Sequence, residues 1–343
     1  MLISEFEFEL PAELIAQVPL ERREGSRMLA VDRQSEAFKD DRFEHLPAYL
    51  KKGDLLVLNN TRVFPARVFG STLTGARVEI FLVRETAASR WEVLAKPGRR
   101  LKVGTEINFG DLLRAIVIEK YDDGRVAVEF FHDGDLYGVL DQIGVTPLPP
   151  YIRRDKDGID GDRERYQTVF AKKPGAIAAP TAGLHFTPEI IGQIDGLGIE
   201  VTELTLHVGY GTFEPVRVDD LADHRVSAEA FEISHVTADL LNRAKADARR
   251  IVAVGTTTTR ALETTLAKFG NFTAGLHLAD ITVTPGYKFR AISALLTNFH
   301  LPQSSLLVLT STFGGHDLIM RAYRHAVAGK YRFYSYGDCM LIV

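Results

Sequence analysis

The chain has 343 residues, 45% hydrophobic and 25% charged, an ordinary globular balance in a chain too long for one simple core. Its 41 Lys and Arg against 45 Asp and Glu leave a formal net charge of −4, which excludes a protein that coats nucleic acid non-specifically but not a local basic patch. One cysteine, Cys339, excludes an intrachain disulfide and a cysteine-built zinc site, and no run approaches the ~20 apolar residues of a membrane span, so a cytoplasmic protein without a membrane partner is expected.

At the N-terminus FEFEL alternates apolar and acidic residues and predicts a half-buried strand, and Pro11 opens a short helical pattern through Ala16. The polar LERREGSRM leads into strands predicted at 28–32 and 54–59. From Pro65 to Pro150 the runs ARVFG, ARVEIFLVRE, RWEVLAK, TEINFG, LRAIVIEKY and RVAVEFF are short, β-rich and separated by Gly or Asp-Gly turn signals, which predicts a small barrel or sandwich. Beyond residue 165 strands and helices alternate. Thr187-Pro188 is an N-cap with proline at the first helical position, opening a helix to about Ile194. GIEVTELTLHV reads as a strand, 237–250 as a helix, IVAVGT as a strand and Thr259–Lys268 as a helix. SLLVLTSTF reads as another strand, His316–Ala328 as a helix and CMLIV as the last strand. The pattern predicts an α/β fold with a mostly parallel sheet and helices on both faces. It divides into a discontinuous main domain, 1–64 with 151–343, and an inserted β domain at 65–150.

Four clusters of Gly, Thr, Asn and His stand where apolar runs end: LVLNNTR (56–62), LTLHVGYGTF (204–213), AVGTTTTR (253–260) and LVLTSTFGG (307–315). Ligands of open α/β sheets bind outside the carboxyl ends of the strands, so the clusters predict one shared polar pocket, as in an enzyme. GTTTTR would offer helix-start N–H groups, hydroxyls and the Arg260 fork to an anion, or is a plain capped helix. His185, in the Gly/Pro loop PGAIAAPTAGLHFTPE, suits proton transfer near neutral pH or a satisfied structural role. In HVGYGTFEPVR, Tyr210 and Phe213 would stack a purine and Glu214 bind an amine or act as a base; the alternative is a glycine turn with a solvated Glu214. TNFHLPQSS sets Asn298 and His300 for a base edge, or as a loop brace. KYRFYSYGD interleaves Lys330 and Arg332 with aromatics, as nucleotide binders do and as edge strands do. The arginines of 20–27 and 153–173 suit RNA phosphates or solvent. No metal-ligand spacing and no GxSxG elbow occurs, so no metal site is assigned and neither metal nor serine hydrolysis is expected.

These segments in this order, with PLPPYI, RYQTVFAKKPGAIAAPTAGLHFT, AVGTTTTRALE, LLTNFHLPQSSLLVL and YRFYSYGD, resemble the S-adenosylmethionine:tRNA ribosyltransferase-isomerase family of the queuosine pathway nearly end to end. The resemblance implies a three-layer α/β/α sandwich carrying an inserted small β-barrel. It also implies transfer and isomerisation of the ribosyl group of S-adenosylmethionine onto the aminomethyl-deazaguanine at the tRNA wobble position, giving epoxyqueuosine and releasing adenine and methionine. S-adenosylmethionine would be a co-substrate with no further cofactor, the partner a tRNA carrying the precursor base, and the protein a monomer. A base would remove a proton from the 5′ carbon beside the sulfonium, and a donor would help adenine leave; His185, His300 and Glu214 are the catalytic candidates. Substrate contacts are expected from Asn60, Arg62, Arg67, Thr181, Gly183, His207, Gly209, Tyr210, Gly211, Thr256, Thr257, Arg260 and Asn298, and RNA contacts from Arg153, Arg154, Lys172, Lys330 and Arg332. The chain departs from the family pattern at Ser227 and Ala228, where His and Ser stand, at Thr282 and Thr284, where aromatics stand, and in GTTTTR for GTTSVR. A divergent relative using S-adenosylmethionine on another purine-like acceptor, and a non-catalytic RNA-binding protein on the same scaffold, are the alternatives.

Overall fold

A computed structural model describes residues 1–154, 161–209 and 216–343. In chain order its strands are β1 (Arg27–Asp32), β2 (Ala37–Arg42), β3 (Leu55–Asn59), β4 (Thr61–Val63), β5 (Arg67–Thr72), β6 (Arg77–Ala87), β7 (Arg90–Lys96), β8 (Glu106–Asn108), β9 (Arg114–Lys120), β10 (Val126–Phe131), β11 (Lys173–Ala176), β12 (Glu200–Leu206), β13 (Glu229–Ile233), β14 (Ile251–Val254), β15 (Gly275–Ala279), β16 (Ala294–Asn298) and β17 (Cys339–Ile342). The α-helices are α1 (Leu136–Ile143), α2 (Asp162–Arg165), α3 (Pro188–Gly196), α4 (His235–Ala246), α5 (Thr256–Phe269), α6 (Ser305–Gly314) and α7 (His316–Ala328).

Two compact units are present. One comprises 1–61, 150–173 and 179–343, the other 62–149 and 174–178. In the second, six antiparallel strands close into a barrel in the order β10-β7-β6-β5-β8-β9. Alternate residues such as Val68, Ile80, Val93, Val117 and Val128 fill its interior with Trp91 and Phe130. Helix α1 is capped by Asp135, whose carboxylate accepts from Gly138 N at 3.0 Å.

The first unit holds a nine-stranded sheet, β15-β13-β12-β3-β14-β16-β17-β1-β2. Its centre, β12, β3, β14 and β16, is parallel, and β14 is wholly apolar and buried, as a strand covered on both faces must be. One face packs Leu56, Leu58, Val252, Val254 and Leu296 against Phe43, Leu46, Phe186, Ile190 and Ile194, from the 3₁₀ segment Phe43–Tyr49, the loop before α3, and α3 itself. Helices α4 and α5 pack on β12 and β14.

Three expectations are corrected. The sheet is mixed rather than mostly parallel, because β17 and the flanking β2, β13 and β15 each pair antiparallel with a neighbour. SLLVLTSTF is α6, not a strand. A short apolar stretch such as Leu306–Leu309 fits either state, and Ser304 decides it by accepting from Leu307 N at 3.2 Å while Thr310 and Thr312 donate to the carbonyls four residues back. FEFEL pairs with no strand among the described residues. Phe6 and Phe8 are buried as the alternation requires, but Ile3–Phe6 is a 3₁₀ turn and the Phe6 carbonyl accepts from Gln303 N.

Candidate functional site

The four central parallel strands bring their carboxyl ends to one sheet edge: Leu206, Asn59, Val254 and Asn298. Strand β17 runs against β16, pairing Cys339 with Asn298, and β1 is parallel to β17, so the amino ends of these two strands, Asp338 and Ser26, reach the same edge. Residues remote in sequence therefore meet outside the strand ends, where α/β sheets bind ligands.

His185 ends the 3₁₀ turn Thr181–His185 at this edge. Its Nδ1 lies 2.9 Å from Ser26 Oγ and its Nε2 lies 3.2 Å from Asn298 Oδ1. Asn298 donates its Nδ2 to the carbonyls of Tyr334 (2.9 Å) and Ser335 (3.3 Å), which leaves Oδ1 as an acceptor for an Nε2 proton. Burial pushes the imidazole pKa down to about 4, against the Asn298 bond and reinforced by Arg332 and Arg23, so the ring is neutral at pH 7 with its proton on Nε2. The turn is drawn tight by Gly183, where a Cβ would stand 2.7 Å from Phe170 Cζ and 2.9 Å from Thr168 Cγ2. Its Ala182 packs beside Gly255.

Gly255 (φ +92°) turns β14 into α5 in a conformation that L side chains rarely adopt. At the start of α5 opens a cleft of about 550 Å³, its solvent-facing part included, lined by Thr256, Thr257, Arg260, Ser227, Glu229, His224, Thr282, Ser305 and apolar Val226, Val283, Leu306 and Leu309. The four threonines divide. Thr258 and Thr259 donate to the Val254 and Gly255 carbonyls and are fully buried, so Thr256 and Thr257 are the pair that face the cleft. Arg260 is engaged within the protein: Nη1 donates to Glu229 Oε2 at 2.5 Å, Nη2 to the carbonyls of Ala279 and Ser227, and Nε to that of Ile281. The other oxygen of Glu229 accepts from Gly209 N at 3.1 Å, so one ion pair ties the 207–209 loop to α5.

The remaining expected residues are placed as follows. His207 Nδ1 lies 2.8 Å from Thr61 Oγ1, and burial lowers its pKa. Asn60 accepts from Thr205 Oγ1 and donates to Glu203, which also binds Lys172 at 2.7 Å. His300 Nε2 lies 2.9 Å from Thr297 Oγ1 and its backbone N–H meets Tyr323 Oη; full burial lowers its pKa to about 3, and these bonds brace its own loop. Arg62 and Arg67 belong to the barrel unit, 3.6 Å from Asp141 and 3.3 Å from Glu79 respectively. Thr181 opens the His185 turn. Arg153 and Lys330 are exposed, Arg154 is bound by Asp162, and Arg332 donates to the Val18 carbonyl. Tyr210, Gly211 and Glu214, with Phe213, lie outside the described residues.

Sequence reasoning missed Ser26, His224, Glu229 and Ser305. His224 Nε2 is 2.8 Å from Ser305 Oγ at the cleft wall; the histidine of the DH pair was the only signal for it. Ser227 and Thr282, two of the positions that depart from the family pattern, line this same cleft. Among the described residues no group of three His, Cys, Asp or Glu is arranged to hold a metal ion, and no helix is long and apolar enough to cross a membrane.

A model of the queuosine biosynthesis protein family matches residues 3–342. The crystal structure of an S-adenosylmethionine tRNA ribosyltransferase from Thermotoga maritima is 34% identical in sequence, with a TM-score of 0.57, the match covering 99% of this chain and 100% of that one. The matched span takes in both compact units, and the chain belongs to the queuosine biosynthesis protein family.

Proposed function

We propose that this chain is an S-adenosylmethionine:tRNA ribosyltransferase-isomerase. It moves the ribosyl group of S-adenosylmethionine to the aminomethyl-deazaguanine at the wobble position and isomerises it to the epoxycyclopentanediol of epoxyqueuosine, with adenine and methionine leaving. The observation that carries the reading is His185, a neutral imidazole fixed between Ser26 and Asn298 in a turn whose Ala182 packs beside Gly255, where α5 begins and the cleft opens.

In this reading S-adenosylmethionine occupies the cleft. The first N–H groups of α5 lack intrahelical acceptors and carry the positive end of the helix dipole, and the Thr256, Thr257 and Ser305 hydroxyls suit ribose or carboxylate oxygens. Arg260 shapes this wall through Glu229 rather than gripping the anion itself. His185 takes the hydroxyl proton of Ser26 at Nδ1 as Ser26 Oγ receives the proton that leaves the 5′ carbon of S-adenosylmethionine; Ser26 Oγ, 2.9 Å from the Arg23 carbonyl, then turns its hydrogen there and accepts from the new N–H. Both ring nitrogens of the resulting imidazolium face acceptors, so the frame that holds the neutral ring also fits the charged one.

The test is release of adenine from S-adenosylmethionine by the purified chain, with tRNA bearing the precursor base. Adenine release that requires both substrates supports the reading. RNA binding with no adenine release removes it and leaves the non-catalytic alternative.

A further inference from the structure

Three arginines distant in sequence, Arg23, Arg165 and Arg332, converge beside the His185 turn; among the described residues no carboxylate hydrogen-bonds any of the three guanidinium groups, and buried Asp338 offsets the charge of Arg332 alone. Their guanidinium bonds run to backbone carbonyls alone: Arg23 to Gln167 (2.5 Å) and Glu164 (3.0 Å), Arg165 to Glu21 (3.0 Å) and Leu20, Arg332 to Val18. The acids nearby are engaged. Asp162 takes the Arg154 fork at 2.7 and 3.0 Å, and buried Asp338 accepts the backbone N–H groups of Arg27 and Arg332 at 2.9 and 2.8 Å.

The like charges act on one another and on their surroundings. Burial and then the neighbouring Arg165 lower the pKa of Arg23, and the charges of Arg332 and Arg23 add to burial in opposing protonation of His185. Four buried polar atoms of the same cluster have no hydrogen-bond partner: Arg332 Nη1, Arg165 Nε, Tyr336 Oη and Thr168 Oγ1. Tyr336 and Thr168 are each 95% buried. The Tyr336 ring lies within electrostatic reach of Arg23 and Arg165, and Thr168 touches the Gly183 turn. Burying unpaired cations and unmatched polar atoms together is costly, and such a group is accounted for when an anion completes it.

We propose that Arg23, Arg165 and Arg332, with the Tyr336 and Thr168 hydroxyls, form an oxyanion seat that receives a phosphodiester of the substrate RNA next to His185. Arginine forks match the paired oxygens of a phosphate, and hydroxyls take what remains of its acceptor capacity. This deepens the functional reading above and rests on it. It also gives the arginines of 20–27 and 153–173 a shared role that no linear pattern shows. The carboxylate of S-adenosylmethionine is the other source of such an oxyanion, and the experiment separates the two.

The probe is a synthetic anticodon stem-loop of the precursor tRNA, bound to the full chain and followed by fluorescence anisotropy across a salt series. Arg165→Gln and Arg332→Gln are each expected to weaken RNA binding about tenfold and to lower the salt slope by about one, with S-adenosylmethionine affinity unchanged. Because either variant can lose stability, a second arm keeps the wild-type chain and replaces single RNA phosphates with neutral methylphosphonate. One position should reproduce the tenfold loss, and in Arg165→Gln the same substitution should add nothing. The seat is overturned if no methylphosphonate position weakens binding to the wild-type chain, or if the folded variants lose S-adenosylmethionine affinity instead of RNA affinity. Adenine release by the wild-type chain is scored separately: its absence removes the enzyme reading, whereas its presence with RNA binding intact in both variants removes the seat alone.

Discussion

His185 Nε2 and Asn298 Oδ1, 3.2 Å apart across 113 residues of sequence, join the turn before α3 to the carboxyl end of β16. Asn298 is itself held by two carbonyls of the 334–335 segment, so the imidazole cannot swing without breaking a bond inside the sheet edge. Replacing His185 with Gln keeps a polar side chain of similar reach but removes the titratable nitrogen. Adenine release should fall by about 100-fold or more, the range of a lost general acid–base group, while the thermal midpoint moves little. Asn298→Ala should lower turnover less and shift its pH profile, because it frees the ring rather than deleting it. Wild-type turnover in His185→Gln would remove His185 from the chemistry.

Filling the cleft tests where S-adenosylmethionine sits. Thr282 and Ser227 line it together with Thr256 and Thr257, and both are small. Thr282→Phe should raise KM for S-adenosylmethionine by tenfold or so, with RNA affinity unchanged, since the added ring takes up ligand volume rather than charge. An unchanged KM would place the co-substrate elsewhere.

How much of this was legible before folding depends on the distance over which each signal acts. The barrel insertion was read from Gly-punctuated β runs, and the helix start from the two residues Thr187 and Pro188, both local signals. GTTTTR marked the right helix start, yet which hydroxyls face outward follows from α5 packing on β14: Thr258 and Thr259 turn inward and only Thr256 and Thr257 remain. Ser26 as the partner of His185 was not readable, because it depends on β1 lying parallel to β17 and β17 running against β16. The same crossing hides the arginine group, whose three members come from segments with ordinary mixed charge. SLLVLTSTF was misread because its apolar stretch, Leu306–Leu309, is too short to carry a period that separates strand from helix.

Arg260 and Glu229 should prove structural. Their side chains are 10% and 5% exposed, and the pair joins α5, β13 and the 207–209 loop. Glu229→Gln leaves a buried guanidinium without its counter-charge, and stability should fall by about 3–5 kcal/mol in urea unfolding. Any loss of S-adenosylmethionine binding should then follow the loss of fold and be recovered at low temperature. A stable variant with selectively lost binding would show that the pair contacts the ligand.

Stability should decline on the acid side, with a definite sign. His185 and His300 are held at about 4 and about 3 in the folded chain, against ~6.5 when unfolded. Between those values the unfolded chain binds protons that the folded chain refuses, so stability rises with pH there. It is full above about pH 6.5 and is lost as the pH falls toward 4 and 3, on the order of 3 kcal/mol from His185 alone. His207 and His224, both lowered by burial, act in the same direction, while Asp338, raised by burial, acts in the opposite one. Urea unfolding from pH 7.5 to 4.5 should show this slope, shallower in His185→Gln. A flat profile would mean that the histidine is not buried neutral.

Substrate RNA should itself retune His185. In the free protein Arg23 and Arg332 both oppose an imidazolium, while Ser26 Oγ and Asn298 Oδ1 are placed to accept from both of its N–H groups. Burial is the main force against the charged ring and the arginine charges add to it, while the hydrogen-bond frame favours it. A phosphodiester seated among the arginines cancels the opposing charge and leaves both the frame and the burial untouched, so the imidazole pKa should rise from its free-protein value while staying below that of an exposed histidine. Imidazole NMR of the chain labelled at histidine, titrated with and without the anticodon stem-loop, measures the shift directly. His300, which meets no arginine and is lowered by burial alone, serves as the internal reference and should stay where it is. If RNA binds and both resonances titrate as before, the arginines and His185 are neighbours without being coupled, and binding of RNA does not prepare the base.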